Sequence, residues 1–259
     1  INKRRHENND LIKLIFLLYE NYNKPVPSPE CWEEMKEFRK LGLKTPVAIL
    51  PNPIETKGLI ERPIPEKTKF QFGYIGRIDS RKRIERLIYA FDANRDLFRS
   101  SELVIMGAWD KKYEKFLKDE TTRLKLDNVI FTGFVTGTQK DYLLTNLSVL
   151  VVPSDFENFG NIVTEALVRG VPVIASKGTP WQDLVKYECG YWINNDHTTI
   201  NETMRDFCLL RQEIRKRMEL NGRKLVQDKY ALEQNGKKLS QLYDWILGIG
   251  EKPEFVYTV

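Results

Sequence analysis

Cysteine, histidine and long apolar runs are all scarce in this chain, and each scarcity removes a class of protein. Three cysteines in 259 residues, Cys31, Cys189 and Cys208, are odd in number and far apart, so neither a disulfide framework nor a CxxC metal site is expected. Two histidines, His6 and His197, argue against a histidine-rich metal cage. Apolar runs such as Leu14 to Leu18 fall far short of a bilayer span, and no signal-peptide pattern with a small-residue cleavage site is present. The expectation is a cytoplasmic protein. G-x-G-x-x-G and the phosphate-loop lysine are both missing, which weakens dinucleotide redox and nucleotide-triphosphatase readings. Charge imbalance is small as well. With 41 basic and 36 acidic residues the net charge is +5, which favours anionic partners only weakly. A nucleic-acid-binding protein would show a steep salt dependence, but near-balanced charge and the lack of an aromatic-rich basic sheet count against one. Internal repeats and low-complexity tracts are absent.

What is present is a globular composition, 41% apolar, long enough to bury a full core and carry additional material. The start at Ile1 rather than Met suggests a fragment, a processed product or a partly observed chain. Residues 1–24 pass from Lys3-Arg4-Arg5 into Leu11–Leu18, which is apolar nearly all round. Such a basic opening can touch a membrane surface, although a core segment is the commoner role. Pro25, Pro27 and Pro29 force an extended path, and Ser28 can cap a helix from Glu30 to Arg39 that stops near Gly42. A short strand follows at Pro46–Leu50, closed by Pro51-Asn52-Pro53. Residues 55–69 read as a linker rich in Pro, Glu and Lys.

From Phe70 onward short apolar runs alternate with helical stretches. Strands are expected near 70–76, 102–107, 128–132, 148–153, 171–175 and 190–193. Helices are expected at 81–97, 111–125, 138–146, 159–169 and 180–188. This alternation predicts an α/β fold, a doubly wound parallel sheet whose ligands sit beyond the carboxyl ends of the strands. The chain then turns helical, with amphipathic segments near 199–228 and 232–247 packing on the sheet as a cap. The domain division is therefore 1–54, a connection to or remnant of an earlier domain; 55–69, the linker; 70–196, the Rossmann-like domain; and 197–259, the closing helices.

The stretch from Ser148 to Leu167 concentrates the chemistry. Val149–Val152 has the continuous β-branched character of a strand covered on both faces, and Ile162, Val163, Ala166 and Leu167 recur at helical spacing. Between them Gly160 permits close backbone approach where a helix begins, and a helix N-terminus offers unsatisfied N–H groups to an anion. Glu157 stands in that loop. Glu165 lies inside an apolar helical turn, where a carboxylate is costly unless something bonds to it; a solvated helix-surface glutamate is its bland alternative.

A second concentration follows the first strand. Gly76-Arg77 leads into Ser80-Arg81-Lys82-Arg83, with Ser80 the expected N-cap. Three cations in a first helical turn oppose the macrodipole, and a bound diphosphate held by Arg77 and Lys82 reverses that sign. The alternative is a solvated basic turn paired with Asp79 and Glu85. Met106-Gly107-Ala108-Trp109 and Thr132-Gly133-Phe134-Val135 end the next two strands. Phe134 and Val135 can lie near a flat base, although core packing is the commoner role of each side chain. In the loop after the fifth strand, Thr179 is the expected N-cap, Pro180 the first helical residue and Trp181 a packing residue. Cys189 and His197 carry no assigned chemistry.

These residues in this order resemble a known family. Gly76-Arg77 with Lys82, Pro153-Ser154, the Glu157-x7-Glu165 pair around Phe159-Gly160, Gly170–Ala175 and Gly178–Trp181 look like the donor-binding, C-terminal domain of a family 4 retaining glycosyltransferase of the GT-B fold. The likeness covers roughly residues 46–195. It implies that Arg77 and Lys82 hold the diphosphate of a nucleotide sugar without a metal, and with no other cofactor. It assigns Glu157 to the donor sugar, Glu165 to the ribose, and the backbone of Phe159, Gly160, Asn161 and Ile162 to sugar and phosphate. Gly76, Gly133, Phe134 and Val135 complete the implied donor site. Asn161 and Glu165, four apart, share one helix face. The implied reaction is transfer of a hexose-type sugar to an unidentified glycan, lipid or protein acceptor; a non-catalytic nucleotide-sugar-binding or scaffold domain is the alternative. Two departures stand out: Arg83 replaces the usual glycine after the phosphate lysine, and the Pro-Asn-Gly turn is Pro51-Asn52-Pro53. An acceptor-binding N-terminal domain is also expected, and residues 1–45 cannot build one.

Overall fold

The computed structural model describes residues 39–42 and 44–258. The expected apolar segment at 11–18, the proline stretch, Ser28 with nearly all of its helix, and His6 and Cys31 lie outside these residues. The first strand of the described chain is the two-residue β1 (Val47–Ala48). A parallel sheet then forms from β2 (Gln71–Ile75), β3 (Glu102–Met106), β4 (Val129–Gly133), β5 (Val149–Val152), β6 (Val173–Ser176) and β7 (Gly190–Ile193). Its order is β4-β3-β2-β5-β6-β7. Each expected strand is present to within one or two residues.

Parallel neighbours need a crossover, and helices supply it. These are α1 (Glu85–Ala93), α2 (Lys111–Arg123), α3 (Gly137–Asn146), α4 (Asn161–Val168) and α5 (Asp183–Lys186). Then come α6 (His197–Leu209), α7 (Gln212–Leu225), a π turn at Val226–Tyr230 and α8 (Leu232–Ile246). The chain ends on β8 (Val256–Tyr257), which pairs antiparallel with β1. Where a short polar residue precedes a helical run it acts as a cap: the Asp110 carboxylate accepts from the N–H groups of Lys112 and Tyr113, and that of Asp196 accepts from Thr199.

Four local expectations are corrected. The helix expected at 81–97 is a 3-10 turn at Ser80–Lys82, a left-handed residue at Arg83 and then α1. Its cap is Asp79 rather than Ser80, because the Asp79 carboxylate reaches the Arg81 N–H at 2.9 Å. Thr179 does not begin a helix: its hydroxyl donates to the Ser176 carbonyl, and α5 starts only at Asp183. The long segment at 199–228 divides at Leu210, whose extended backbone ends α6.

Both faces of the central strands β2, β3, β5 and β6 are buried, and strand alternation assigns their residues. Leu103 and Ile105 of β3 and Val149 and Val151 of β5 enter one apolar cluster with Phe72, Leu87, Phe91, Phe98 and Phe207. Val104 and Met106, with Leu150 and Val152, enter the other with Val163, Ala166, Leu167 and Trp181. Rings pack tightly in the first, Phe72 lying 4.9 Å from Phe98 and 5.4 Å from Phe91 between centroids. Each such buried side chain contributes about 1.5–3 kcal/mol relative to exposure. Along the segment expected as a linker, Leu59 and Ile60 rest against the second cluster, and just before it Ile54 bridges to Ala231.

Strand order reverses between β2 and β5. Their pairing covers Phe72 with Val149 and Gly73 with Leu150, short of both carboxyl ends, so the loops beyond them can part. Beside this switch point the loops after β2 and β3 lie almost in contact: a Cβ on Gly107 would sit 1.8 Å from the Gly76 carbonyl oxygen. Backbone, unlike a flexible side chain, cannot yield there. Gly107→Ala is expected to destabilise the domain by at least about 1–3 kcal/mol through overpacking, read as a lower urea midpoint at constant m-value.

Candidate functional site

The loops beyond β2 to β6 form one polar edge. Backbone bonds set the first three side by side: the Gly76 N–H donates to the Met106 carbonyl at 3.0 Å, and the Gly107 N–H to that of Gly133 at 2.8 Å. Buried Tyr74 braces the first loop from beneath, its hydroxyl donating to the Arg77 carbonyl at 2.7 Å. Burial pushes the Tyr74 phenol well above its ordinary pKa, which keeps that proton in place. Arg77 is exposed and lies over the Trp109 ring, 5.4 Å from the centroid. Trp109 is 67% exposed and Phe134 76% exposed. The core role expected for Phe134 is therefore wrong: it follows the end of edge strand β4, whose residues are at most partly buried. Val135 does enter the core.

Each cation of the basic turn has a carboxylate partner. Arg81 pairs with Asp79 at 3.2 Å. Lys82 pairs with Glu157 of the loop after β5, and both side chains are largely buried. Arg83 pairs with Asp155 and lies 3.9 Å from Glu85. The macrodipole penalty expected for this turn is thus offset before any ligand arrives. The turn reaches across the switch point and unites two strand ends.

Gly160 begins α4 in the left-handed conformation (φ 74°), and no side chain caps the helix. A Cβ at that position would crowd Glu157 Cγ at 3.0 Å. The Val163 N–H donates to the Gly160 carbonyl, and those of Asn161 and Ile162 are left to a ligand or water. The loop ahead of the helix is held by aromatics. Fully buried Trp181 donates its indole N–H to the Phe159 carbonyl at 2.5 Å, and the Phe159, Trp181 and Tyr230 rings lie 5.1–5.6 Å apart. The packing role expected for Trp181 is met, and it fixes the loop as well.

Glu165 has the cation that its setting demands. Lys140 of α3 places Nζ 2.5 Å from Glu165 Oε2, but at an angle that leaves this buried oxygen without an aligned hydrogen bond among the described residues. Asn161 accepts at 3.0 Å from Asn52 of the Pro51-Asn52-Pro53 turn. The structure thus gathers Gly76, Arg77, Lys82, Glu157, Phe159, Gly160, Asn161, Ile162, Gly133 and Phe134 along one edge, with Glu165 one turn into α4. Lys140 is new, since an ion pair between distant helices leaves no local sequence signal. Asp155 and Trp109 had a signal, their position just after strand ends. Elsewhere, Cys189 is a buried free thiol pushed up to about 12 by burial, and His197 opens α6 beside the Tyr89 ring.

A parallel sheet wound on both faces, with its functional loops on one edge, defines a Rossmann-like α/β domain of the GT-B type. Residues 58–225 match the family described as "Glycosyl transferases group 1", and the chain belongs to that family. It is 29% identical over 172 residues to an uncharacterized glycosyltransferase of Methanocaldococcus jannaschii, MJ1607, covering 66% of this chain and 43% of that one. It is 28% identical over 180 residues to the capsular polysaccharide biosynthesis glycosyltransferase CapM of Staphylococcus aureus, covering 69% and 47%. The chain therefore spans less than half the length of these curated relatives. Among solved structures, Anabaena Alr3699/HepE in complex with UDP and glucose superposes with a TM-score of 0.60 at 20% identity, over 68% of this chain and 48% of that one.

Two outcomes follow from the local geometry. Trp181→Phe keeps an aromatic ring but strands the Phe159 carbonyl, and is expected to cost about 1–3 kcal/mol in urea unfolding. The hydrogen bond from Arg81 holds the Asp79 carboxyl below its ordinary value of 3.8. That pair contributes stability above this value, and the contribution is lost as pH falls through the lower folded-state value. Asp79→Asn should accordingly flatten the acid limb of a melting-temperature profile while lowering stability at pH 7.

Proposed function

We propose that this chain is the donor-binding half of a retaining glycosyltransferase, moving a hexose-type sugar from a nucleoside diphosphate to an unidentified glycan, lipid or protein acceptor. The observation that carries this reading is the meeting of Lys82 and Glu157 across the switch point, beside exposed Arg77 and the uncapped start of α4. Arg77 and Lys82 take the diphosphate, Glu157 the sugar hydroxyls and Glu165 the ribose. The backbone from Phe159 to Ile162 meets sugar and phosphate. Gly76, Gly133, Phe134 and the Val135 backbone border the base. A catalytic role falls to Arg77, Lys82 and Glu157.

Chemistry follows from charge. As the sugar–phosphate bond breaks, negative charge gathers on the leaving diphosphate and the sugar becomes oxocarbenium-like. Fixed cations and helix N–H groups aimed at that charge stabilise the transition state with little reorganisation. Lys82 is the pivot, since a diphosphate competes with Glu157 for its ammonium and releases that carboxylate toward the sugar. No covalent step is assigned to Glu157. We propose that two protein cations suffice without a divalent metal, and that a preceding domain supplies the acceptor site. No helix among the described residues is long and apolar enough to cross a membrane; a cytoplasmic setting, with peripheral membrane contact to reach a lipid acceptor, belongs to the same proposal.

Calorimetry with UDP and GDP tests the site. One of them is expected to bind 1:1 with affinity unchanged by EDTA, and Lys82→Ala or Glu165→Ala is expected to weaken it about tenfold, or 1.4 kcal/mol. Unchanged affinity in both variants overturns the assignment.

A further inference from the structure

We propose that Arg83 is a positioning residue: through Asp155 it sets the loop that carries Glu157, and so governs recognition of the sugar rather than of the nucleotide. The inference rests on the donor reading above for the identity of the ligand, but the clamp itself rests on geometry alone.

Arg83 has φ 52° and ψ 38°, a left-handed conformation in which glycine is the unstrained choice. A long charged side chain kept in that conformation points to a job for the side chain. Its guanidinium Nε donates to Asp155 Oδ2. The other carboxylate oxygen of Asp155 accepts from Asn195 Nδ2 at 2.9 Å and lies 3.6 Å from Arg86 Nη1. Arg86 in turn donates to the Asn195 carbonyl. One carboxylate is therefore gripped from the turn after β2, from α1 and from the loop after β7. An isolated exposed pair counts for little, whereas a network converging on one group holds its geometry.

The backbone completes the clamp. The Asp155 N–H donates to the Arg81 carbonyl at 2.9 Å, and two residues later the Glu157 N–H donates to the Gly178 carbonyl at 2.9 Å. Consecutive residues Lys82 and Arg83 thus hold carboxylates two apart in one loop. Only one of these pairs opens in the donor reading: the diphosphate draws Lys82 away from Glu157, while Asp155 stays held by Arg83, Asn195 and nearby Arg86. Arg83–Asp155 is the tie that remains when the donor is seated, keeping Glu157 in place once its own partner has left.

Hydrogen exchange on the ligand-free chain reads the clamp directly. Arg83→Gly, which suits the backbone but lacks the guanidinium, and Asp155→Asn are each expected to speed exchange at residues 155–160 about tenfold, with β5 unchanged. Arg83→Lys should restore part of the protection. Calorimetry with UDP against UDP-glucose, and GDP against GDP-mannose, reads the consequence. Arg83→Gly should weaken the nucleotide sugar about tenfold and leave the bare nucleotide within about twofold. Unaltered exchange at 155–160 overturns the clamp, and an equal loss for nucleotide and nucleotide sugar overturns its role in sugar recognition. If the unaltered chain binds none of the four probes, the donor reading fails together with the sugar role, while exchange still decides the clamp.

Discussion

Burial of both faces of the parallel sheet is the constraint on which the rest depends. A sheet covered on each side by helices has no face left for a polar ligand, and every strand that enters apolar clusters on both sides must put its polar residues beyond its ends. The reversal of strand order between β2 and β5 then decides where along the edge the loops can part. All else at the site is local detail hung on that opening. Gly107 lets two loops touch, Tyr74 props Arg77 from below, and Trp181 reaches from the second core layer to hold the Phe159 carbonyl. The aromatic core and the polar edge are thereby one mechanical unit.

Charge at this edge is balanced rather than accumulated. Arg81, Lys82 and Arg83 each face a carboxylate, and Glu165 faces Lys140. On the proposed donor reading, a ligand must offer an anion where Lys82 can be released, and hydroxyls where Glu157 is then left over. That requirement is narrower than a basic patch imposes, and it agrees with the near-balanced charge of the whole chain.

Much of this was legible in sequence because parallel strands and their crossovers write strong patterns. Val149–Val152, apolar at every position, can only be a strand buried on both sides, and the expected strand positions agree with the sheet to within a residue or two. The ordered motifs around Arg77, Lys82, Glu157 and Glu165 likewise marked residues that do converge on one edge. What escaped has a common cause in geometry between distant segments. Asp79 displaces Ser80 as cap because its carboxylate geometry closes a 3-10 turn instead of a regular helix. Thr179 is consumed by a bond back to Ser176. Phe134 is large and apolar like a core residue, yet it follows edge strand β4, whose residues are at most partly buried, and is itself exposed. Neither Lys140 nor Asp155 announces its partner, since each pair joins residues more than twenty positions apart.

The small pairing of β1 with β8 bears on how the molecule is assembled. It joins Val47 to Tyr257, so its formation must close nearly the whole described chain into a loop. The entropy of closing such a loop rises only slowly with length, but contacts this remote in sequence are gained late. During synthesis β2 to β7 leave the ribosome before β8, so the sheet and its polar edge can form before β8 reaches β1. The tie between β1 and β8 is then a late latch, added to a sheet that is already complete.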